Sequence, residues 1–237
     1  MTSKEIAAIV GSLNIAFKRR EEVRFKVVCA RKRVEKRQAE LDEALRTQKE
    51  KESEKIAALT LAKEKELAAD QVGVDLKRRR EQLDSATSER AYSSLKLQIE
   101  LDEKKGDRFA DEALVAYASA EEIDTELTRV AQTVVERAKE LESAKLEFEE
   151  TRSKAKIRLE EIATLIVETV ERFPHDFQTL YHSAAERYGD SSACAPLVDE
   201  EYCGACNTGL PFDLSSNVQM GVATRCSNCR RLLYDPN

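Results

Sequence analysis

For its first 173 residues the chain contains no proline: the four prolines are Pro174, Pro196, Pro211 and Pro236. Proline removes a backbone donor and clashes with the preceding helical turn, so its absence over such a length permits unbroken helix. Glycine is nearly as scarce there, with only Gly11, Gly73 and Gly106 before residue 188. Charged residues make up 35% of the chain against 41% apolar, and tryptophan is absent. That composition is too poor in bulky core formers for a single large globule, and it matches long charged helices. Disorder is disfavoured because the apolar residues are periodic.

The period is seven. Stepping from Tyr92 gives Ile99, Gly106, Ala113, Ala120, Leu127, Val134, Leu141, Phe148, Ala155, Ile162 and Thr169, and ten of these twelve positions are apolar. A companion row three residues later holds Leu95, Phe109, Ala116, Ile123, Val130, Ala144 and Leu165. The first half repeats the pattern less regularly through Ile6, Leu13, Val27, Val34 and Leu41, with Val10, Phe17 and Leu45 beside them. A sustained heptad predicts a left-handed coiled coil. The stretch from Lys49 to Glu66 is weaker, which predicts looser packing there. An antiparallel hairpin over residues 1–173 lets each arm bury its seam on the other. The small polar run Asp84-Ser85-Ala86-Thr87-Ser88 places the turn near 84–90, with Ser88 as a helix cap, ahead of the alternative at Gly106.

Nothing at the start of the chain reads as a secretion signal. Ile6 to Phe17 is interrupted by Gly11, Ser12 and Asn14 and is followed by Lys18-Arg19-Arg20 rather than a cleavage site. Thr2 and Glu5 stand at capping-box spacing instead. No stretch approaches the length of a membrane span, and a cytoplasmic location is expected.

The cysteines gather where the helices end. Residues 174–197 read as a connector and 198–237 as a separate module. The module contains Cys203-Gly204-Ala205-Cys206 and Cys226-Ser227-Asn228-Cys229. A two-residue gap lets one tight turn aim two thiolates at one ion, and two such turns complete a tetrahedron. Zinc suits soft thiolates without redox chemistry, and iron accepts the same ligands. Four protein ligands leave no position for an activated water, so the metal is structural. Leu210-Pro211-Phe212, Val218 to Val222 and Leu232-Leu233-Tyr234 are expected to form the short strands of a ribbon, with Gly209 and Arg230-Arg231 suiting the turns. Cys29 reads as a small packing residue and Cys194 as an idle thiol.

Charge is segregated along the arms. Lys18 to Arg37 carries ten basic residues against three acids, and its partner stretch 139–158 is nearly balanced, which leaves the base of the hairpin uncompensated. Lys18, Arg19, Arg20, Arg31, Lys32, Arg33, Lys36 and Arg37 are therefore candidates for contact with nucleic acid or an acidic partner. No aromatics are interleaved for base stacking. The ribbon is acidic, with five acids against Arg225, Arg230 and Arg231 from Pro196 onward, so protein contact suits it better. His175 and His182 stand alone, and no phosphate loop, nucleophile elbow or other catalytic motif is present, so an enzyme is not expected.

The assembly resembles the bacterial coiled-coil proteins with a C-terminal C4-type zinc ribbon. Cys203-Gly-Ala-Cys206 followed by Leu210-Pro211, and Cys226-Ser-Asn-Cys229-Arg-Arg-Leu-Leu-Tyr234, are similar to that family's ribbon. Glu89-Arg90-Ala91-Tyr92 with Leu95 resembles its hairpin-tip element, although Glu89 stands where asparagine is usual and Ala91 where glutamate is usual. Phe173-Pro174 and Leu180-Tyr181 resemble its connector. The resemblance implies a non-enzymatic adaptor holding structural zinc, with a protein partner such as an alternative sigma factor or a secretion or flagellar component, or alternatively RNA.

Overall fold

A computed structural model describes residues 1–236. The fold is mainly α, with two long helices packed together, α1 (Ser3–Asp84) and α2 (Glu89–Glu171). A short helix α3 (His175–Tyr188) follows, then a 3-10 turn (Asp190–Ser192). The C-terminal part contains strands β1 (Cys194–Val198), β2 (Tyr202–Cys203) and β3 (Leu232–Tyr234), with helix α4 (Phe212–Gln219) between the last two. No helix among the described residues is long and apolar enough to cross a membrane.

The chain divides into two compact units, residues 34–145 and the remainder (1–33 with 146–237). In the first of these the break between α1 and α2 falls at 85–88, and the Ala91 amide donates to Ser88 Oγ at 3.3 Å, so Ser88 caps α2. Ile99, Ala113, Ala120 and Leu141 of the heptad row are buried, and Gly106, Leu127 and Val134 are half-buried. Tyr92, beside the turn, is the exception at 50% exposure. Leu45 is exposed and Ala44 takes its place against the partner helix, so the seam passes one residue earlier than expected.

The weak stretch of α1 is held differently from the rest. Ala62 is fully buried there, and Lys51, Lys55 and Lys65 reach across to Glu126, Asp124 and Glu112 at 2.9, 2.5 and 2.6 Å. Small side chains bring the helices together and the lysines flank the seam, which a count of large apolar residues does not register.

One layer of this unit is charged. The pattern Val-x-x-Arg-x-x-Glu-Leu occurs in α1 as Val34, Arg37, Glu40 and Leu41, and in α2 as Val134, Arg137, Glu140 and Leu141. Running antiparallel, the two copies interlock: Arg37 meets Glu40 at 2.7 Å and Glu140 at 3.0 Å, while Arg137 meets Glu140 at 2.8 Å and Glu40 at 3.7 Å. The Arg37 hydrogen bond holds the Glu40 carboxyl below the ordinary carboxylate range. A slipped register would separate these partners, so the layer specifies alignment more than it adds stability.

The other unit begins with the capping box: the Thr2 amide donates to Glu5 Oε2 at 2.8 Å and the Glu5 amide to Thr2 Oγ1 at 3.3 Å. From there α1 buries Ile6, Ile9, Val10, Leu13, Ala16 and Phe17 against Ile162, Ile166 and Val170 of α2. Leu165, expected in the companion row, is 42% exposed, because Ile166 takes the inward position instead. A straight helix of 3.6 residues per turn drifts from a strict seven-residue repeat. Phe173, Phe177 and Tyr181 close this core, with ring centroids 5.9 and 6.3 Å apart.

The sheet order is β2-β1-β3, with β1 antiparallel to β2 and parallel to β3. Successive strand side chains point to opposite faces, and the sheet uses both. Cys194, Leu232 and Tyr234 pack on the helical core, whereas Ala195, Leu197 and Leu233 pack with the cysteine cluster. The two cores are thus the two faces of one small sheet. Four of the five residues of its central strand lie in the stretch read as connector, and the strand tolerates Pro196 because each neighbour pairs with only part of it.

Two expected strands are absent from the sheet. Phe212 and Val218 lie in α4, because Pro211 sets up a helix start and its carbonyl accepts from the Leu214 amide at 2.9 Å. Gly221, at φ +77°, then ends the run, and a Cβ there would lie 2.8 Å from the Met1 carbonyl oxygen, so the ribbon packs closely against the start of α1. Cys29, expected to pack, is exposed. Cys194 is half-buried, and burial pushes its thiol up to about 12, consistent with an idle role.

Candidate metal centre

Each C-x-x-C pair closes the same backbone loop. In the first, the Asn207 amide donates to the Cys203 carbonyl at 2.8 Å and the Cys203 amide to the Thr208 carbonyl at 3.1 Å. In the second, the Arg230 amide donates to the Cys226 carbonyl at 3.1 Å and the Cys226 amide to the Arg231 carbonyl at 3.0 Å. The turn needs a left-handed residue directly after the second cysteine, and Asn207 (φ 55°) and Arg230 (φ 62°) supply it. Gly209, the expected turn residue, is not in that conformation. Asparagine tolerates it well, whereas arginine is held there by the surrounding bonds.

Gly204 serves a different purpose. Its amide donates to the Pro196 carbonyl at 2.8 Å, which docks the first loop on β1. A Cβ at this position would lie 2.7 Å from Pro196 Cγ and 3.0 Å from Val198 Cγ2. Gly204→Ala is therefore expected to push the loop off β1 and destabilise the ribbon by about 1–3 kcal/mol. The check is a lower zinc occupancy under chelator competition, with the helical circular dichroism unchanged.

The two loops bring the four sulfurs to within 4.8 Å of one another. Cys203 and Cys229 Sγ are 3.7 Å apart, as are Cys206 and Cys226 Sγ. A disulfide would need about 2.05 Å. A tetrahedron of thiolates with bonds of about 2.3 Å to zinc has edges of about 3.8 Å. The donor set and its spacing are thus compatible with zinc. Cys203 and Cys226 are fully buried and Cys229 nearly so, while Cys206 is half-buried at the rim.

The surroundings treat the sulfurs unequally. Burial pushes the Cys203 thiol up to about 12. Its neighbour Cys206 is held down to about 6, chiefly by the Thr208 hydroxyl 3.3 Å away. Asn228 from the other loop also donates to Thr208 Oγ1, at 2.9 Å. Thr208 and Asn228 thus tie the loops together outside the ligand set, a role that spacing alone gives no signal for.

Of the arginines beside the second loop, Arg231 is engaged within the fold. Arg231 donates from Nε to the Ser192 carbonyl at 2.8 Å and stacks over Tyr188 at 3.9 Å, so it fastens the ribbon to α3. On α1 part of the charge expected to stand uncompensated is matched. Arg20 meets Asp190 at 3.3 Å and Arg33 meets Glu147 at 2.7 Å. Arg37 lies in the charged layer, and Lys36 approaches Glu40 at 3.9 Å. Lys18, Arg19, Arg31 and Lys32 are exposed on the surface, and Arg31 also has a partner within the protein. Glu140, Glu147 and Asp190 come from α2 and the 3-10 turn, which sequence distance does not connect, whereas Glu40 lies three and four residues beyond Arg37 and Lys36 on the same helix.

No protein-family model and no curated protein matches the chain. Two solved structures are similar over almost their full length. One is the HP0958 protein from Helicobacter pylori, at 15% identity and TM-score 0.62, covering 99% of each chain. The other is CT398 from Chlamydia trachomatis, at 14% identity and TM-score 0.68, covering 98% of each chain. At such identities the likeness is one of fold.

Proposed function

We propose that the protein is a non-enzymatic adaptor in which paired helices carry a zinc ribbon that docks on a protein partner. The observation that carries this reading is apolar surface left uncovered on the ribbon. Phe212 is 82% exposed, Met220 64% and Val222 49%, on a module with little core of its own. Aromatic residues and methionine are enriched in protein–protein interfaces relative to the rest of a protein surface. A metal closed by four thiolates has structural work and no open position for chemistry. The resemblance to the zinc-ribbon coiled-coil family suggests the partner class: an alternative sigma factor, or a component of the secretion or flagellar machinery.

The test is a crosslinking pull-down from the native host, with and without RNase, comparing the natural protein with Phe212→Asp and Met220→Asp. The expected result is a partner of that class, identified by mass spectrometry, that resists RNase and is reduced at least tenfold by either substitution. Equal recovery with both variants overturns the reading. Loss on RNase treatment would favour RNA contact through Lys18, Arg19, Arg31 and Lys32, and such binding would weaken steeply with salt.

A further inference from the structure

A groove of about 590 Å³ runs between α1 and α2 within the unit of residues 34–145. Ala58 and Ala116 line it, and side chains this small leave open the space that a leucine would fill. Leu61 from α1 and Val115 from α2 also line it, at 46% and 70% exposure. Its charged residues, Lys65, Arg108, Asp111 and Glu112, cancel in sum, and Glu112 is met by Lys65 at 2.6 Å and by Arg108 at 3.2 Å. Single exposed apolar side chains are ordinary on a protein surface. Here apolar groups from two helices meet in one groove, where contact with water is unfavourable.

The charges of α2 on this side are ordered. Arg108, Val115 and Glu122 are spaced by seven residues, as are Lys104 and Asp111, and Ser119 and Glu126, so these residues share the groove's side of the helix. Lys104 and Arg108 precede Val115, whereas Glu122 and Glu126 follow it. Lys104 and Glu122 are exposed and make no ion pair among the described residues, while Glu126 is met by Lys51 at 2.9 Å. Such an order complements itself in one direction. With a second α2 laid antiparallel and Val115 opposite Val115, Arg108 faces Glu122, Lys104 faces Glu126, and Asp111 faces the Ser119 hydroxyl, because the members of each pair lie equally far on either side of Val115. No like charges meet. In a parallel alignment each of these charges would face its own copy.

We propose that two copies of this chain associate through the groove as a two-fold dimer, Val115 packing on Val115 while the Arg108–Glu122 and Lys104–Glu126 contacts fix the antiparallel direction. A two-fold interface presents the same patch from both sides, so each ionic contact forms twice. The apolar contact supplies the attraction. Exposed ion pairs add little affinity and chiefly decide direction and partner. A partner helix without this order of charges would lack those contacts, which is why the occupant is a second copy. The inference is independent of what the ribbon docks on.

Sedimentation equilibrium on the full chain tests it. The natural protein is expected to dimerise, more weakly as salt rises. Val115→Asp should raise the dissociation constant at least about tenfold by placing two carboxylates face to face. Its helical circular dichroism should be unchanged, since Val115 is 70% exposed. Arg108→Glu and Glu122→Arg each oppose like charges twice, and each alone should also weaken the dimer about tenfold. Mixed in equal amounts, the two variants should pair within about threefold of the natural affinity, because every contact of the mixed dimer again joins opposite charges. Three results each overturn the proposal: a natural chain that stays monomeric up to about 100 μM, Val115→Asp dimerising as tightly as the natural chain, or a mixture that associates no better than either charge variant alone.

Discussion

Replacing Cys226 and Cys229 together by serine is expected to abolish zinc binding and unfold the ribbon while α1 and α2 stay helical. The ribbon's own core consists of little more than Ala195, Leu197, Leu210, Val218 and Leu233 packed around the cysteines. So few side chains cannot offset the entropy of ordering about 40 residues. Metal binding, worth about 10–16 kcal/mol in structural zinc sites, would supply what they lack. Elemental analysis should fall from one zinc per chain to none. Proteolysis should then cut within 199–236 and spare the paired helices, whose core residues Ile6, Ile9, Val10 and Leu13 still have Ile162 and Ile166 to pack on. Acid should act in the same direction. Binding requires thiolates, so protons compete as pH falls, and Cys203, pushed up to about 12 by burial, is the ligand most reluctant to ionise without the metal. An intact, protease-resistant ribbon in the double serine variant would show that the metal is dispensable.

The second large effect separates two leucines that look alike in the heptad. Leu13→Ala is expected to cost about 2–5 kcal/mol, because Leu13 is 1% exposed and its removal leaves a cavity in the helical core. Leu45→Ala should stay within about 0.5 kcal/mol, since Leu45 is 38% exposed and its neighbour Ala44 faces the seam. Urea titrations followed by circular dichroism measure both. Equal losses for the two variants would contradict the placement of the seam.

The same contrast shows what could be read before folding. The heptad from Ile99 to Ile162 predicts burial correctly because seven-residue spacing is a property of the helix itself. It misplaces Leu45 and Leu165 by one residue, since the contact stripe depends on the partner helix and on the drift between 3.6 and 3.5 residues per turn. The four-cysteine cluster is legible for a similar local reason: a C-x-x-C turn fixes two sulfurs within four residues. Their supports were not. Thr208, Asn228 and Gly204 act across loops or against β1, and nothing in spacing links them to the cysteines. The strands drawn through Phe212 and Val218 failed because apolar content does not distinguish a short strand from a helix that follows a proline.

The sequence by itself determined the long helices, the place where they part and which four cysteines cluster, because each rests on a periodicity or turn that spans a few residues. Only the tertiary structure decided how much of the Lys18–Arg37 charge is neutralised, since Asp190 and Glu147 come from distant parts of the chain. It also decided that one small sheet carries both cores. The reason is the same in each case: pairing and burial depend on which distant residue arrives, and a one-dimensional pattern carries no record of that.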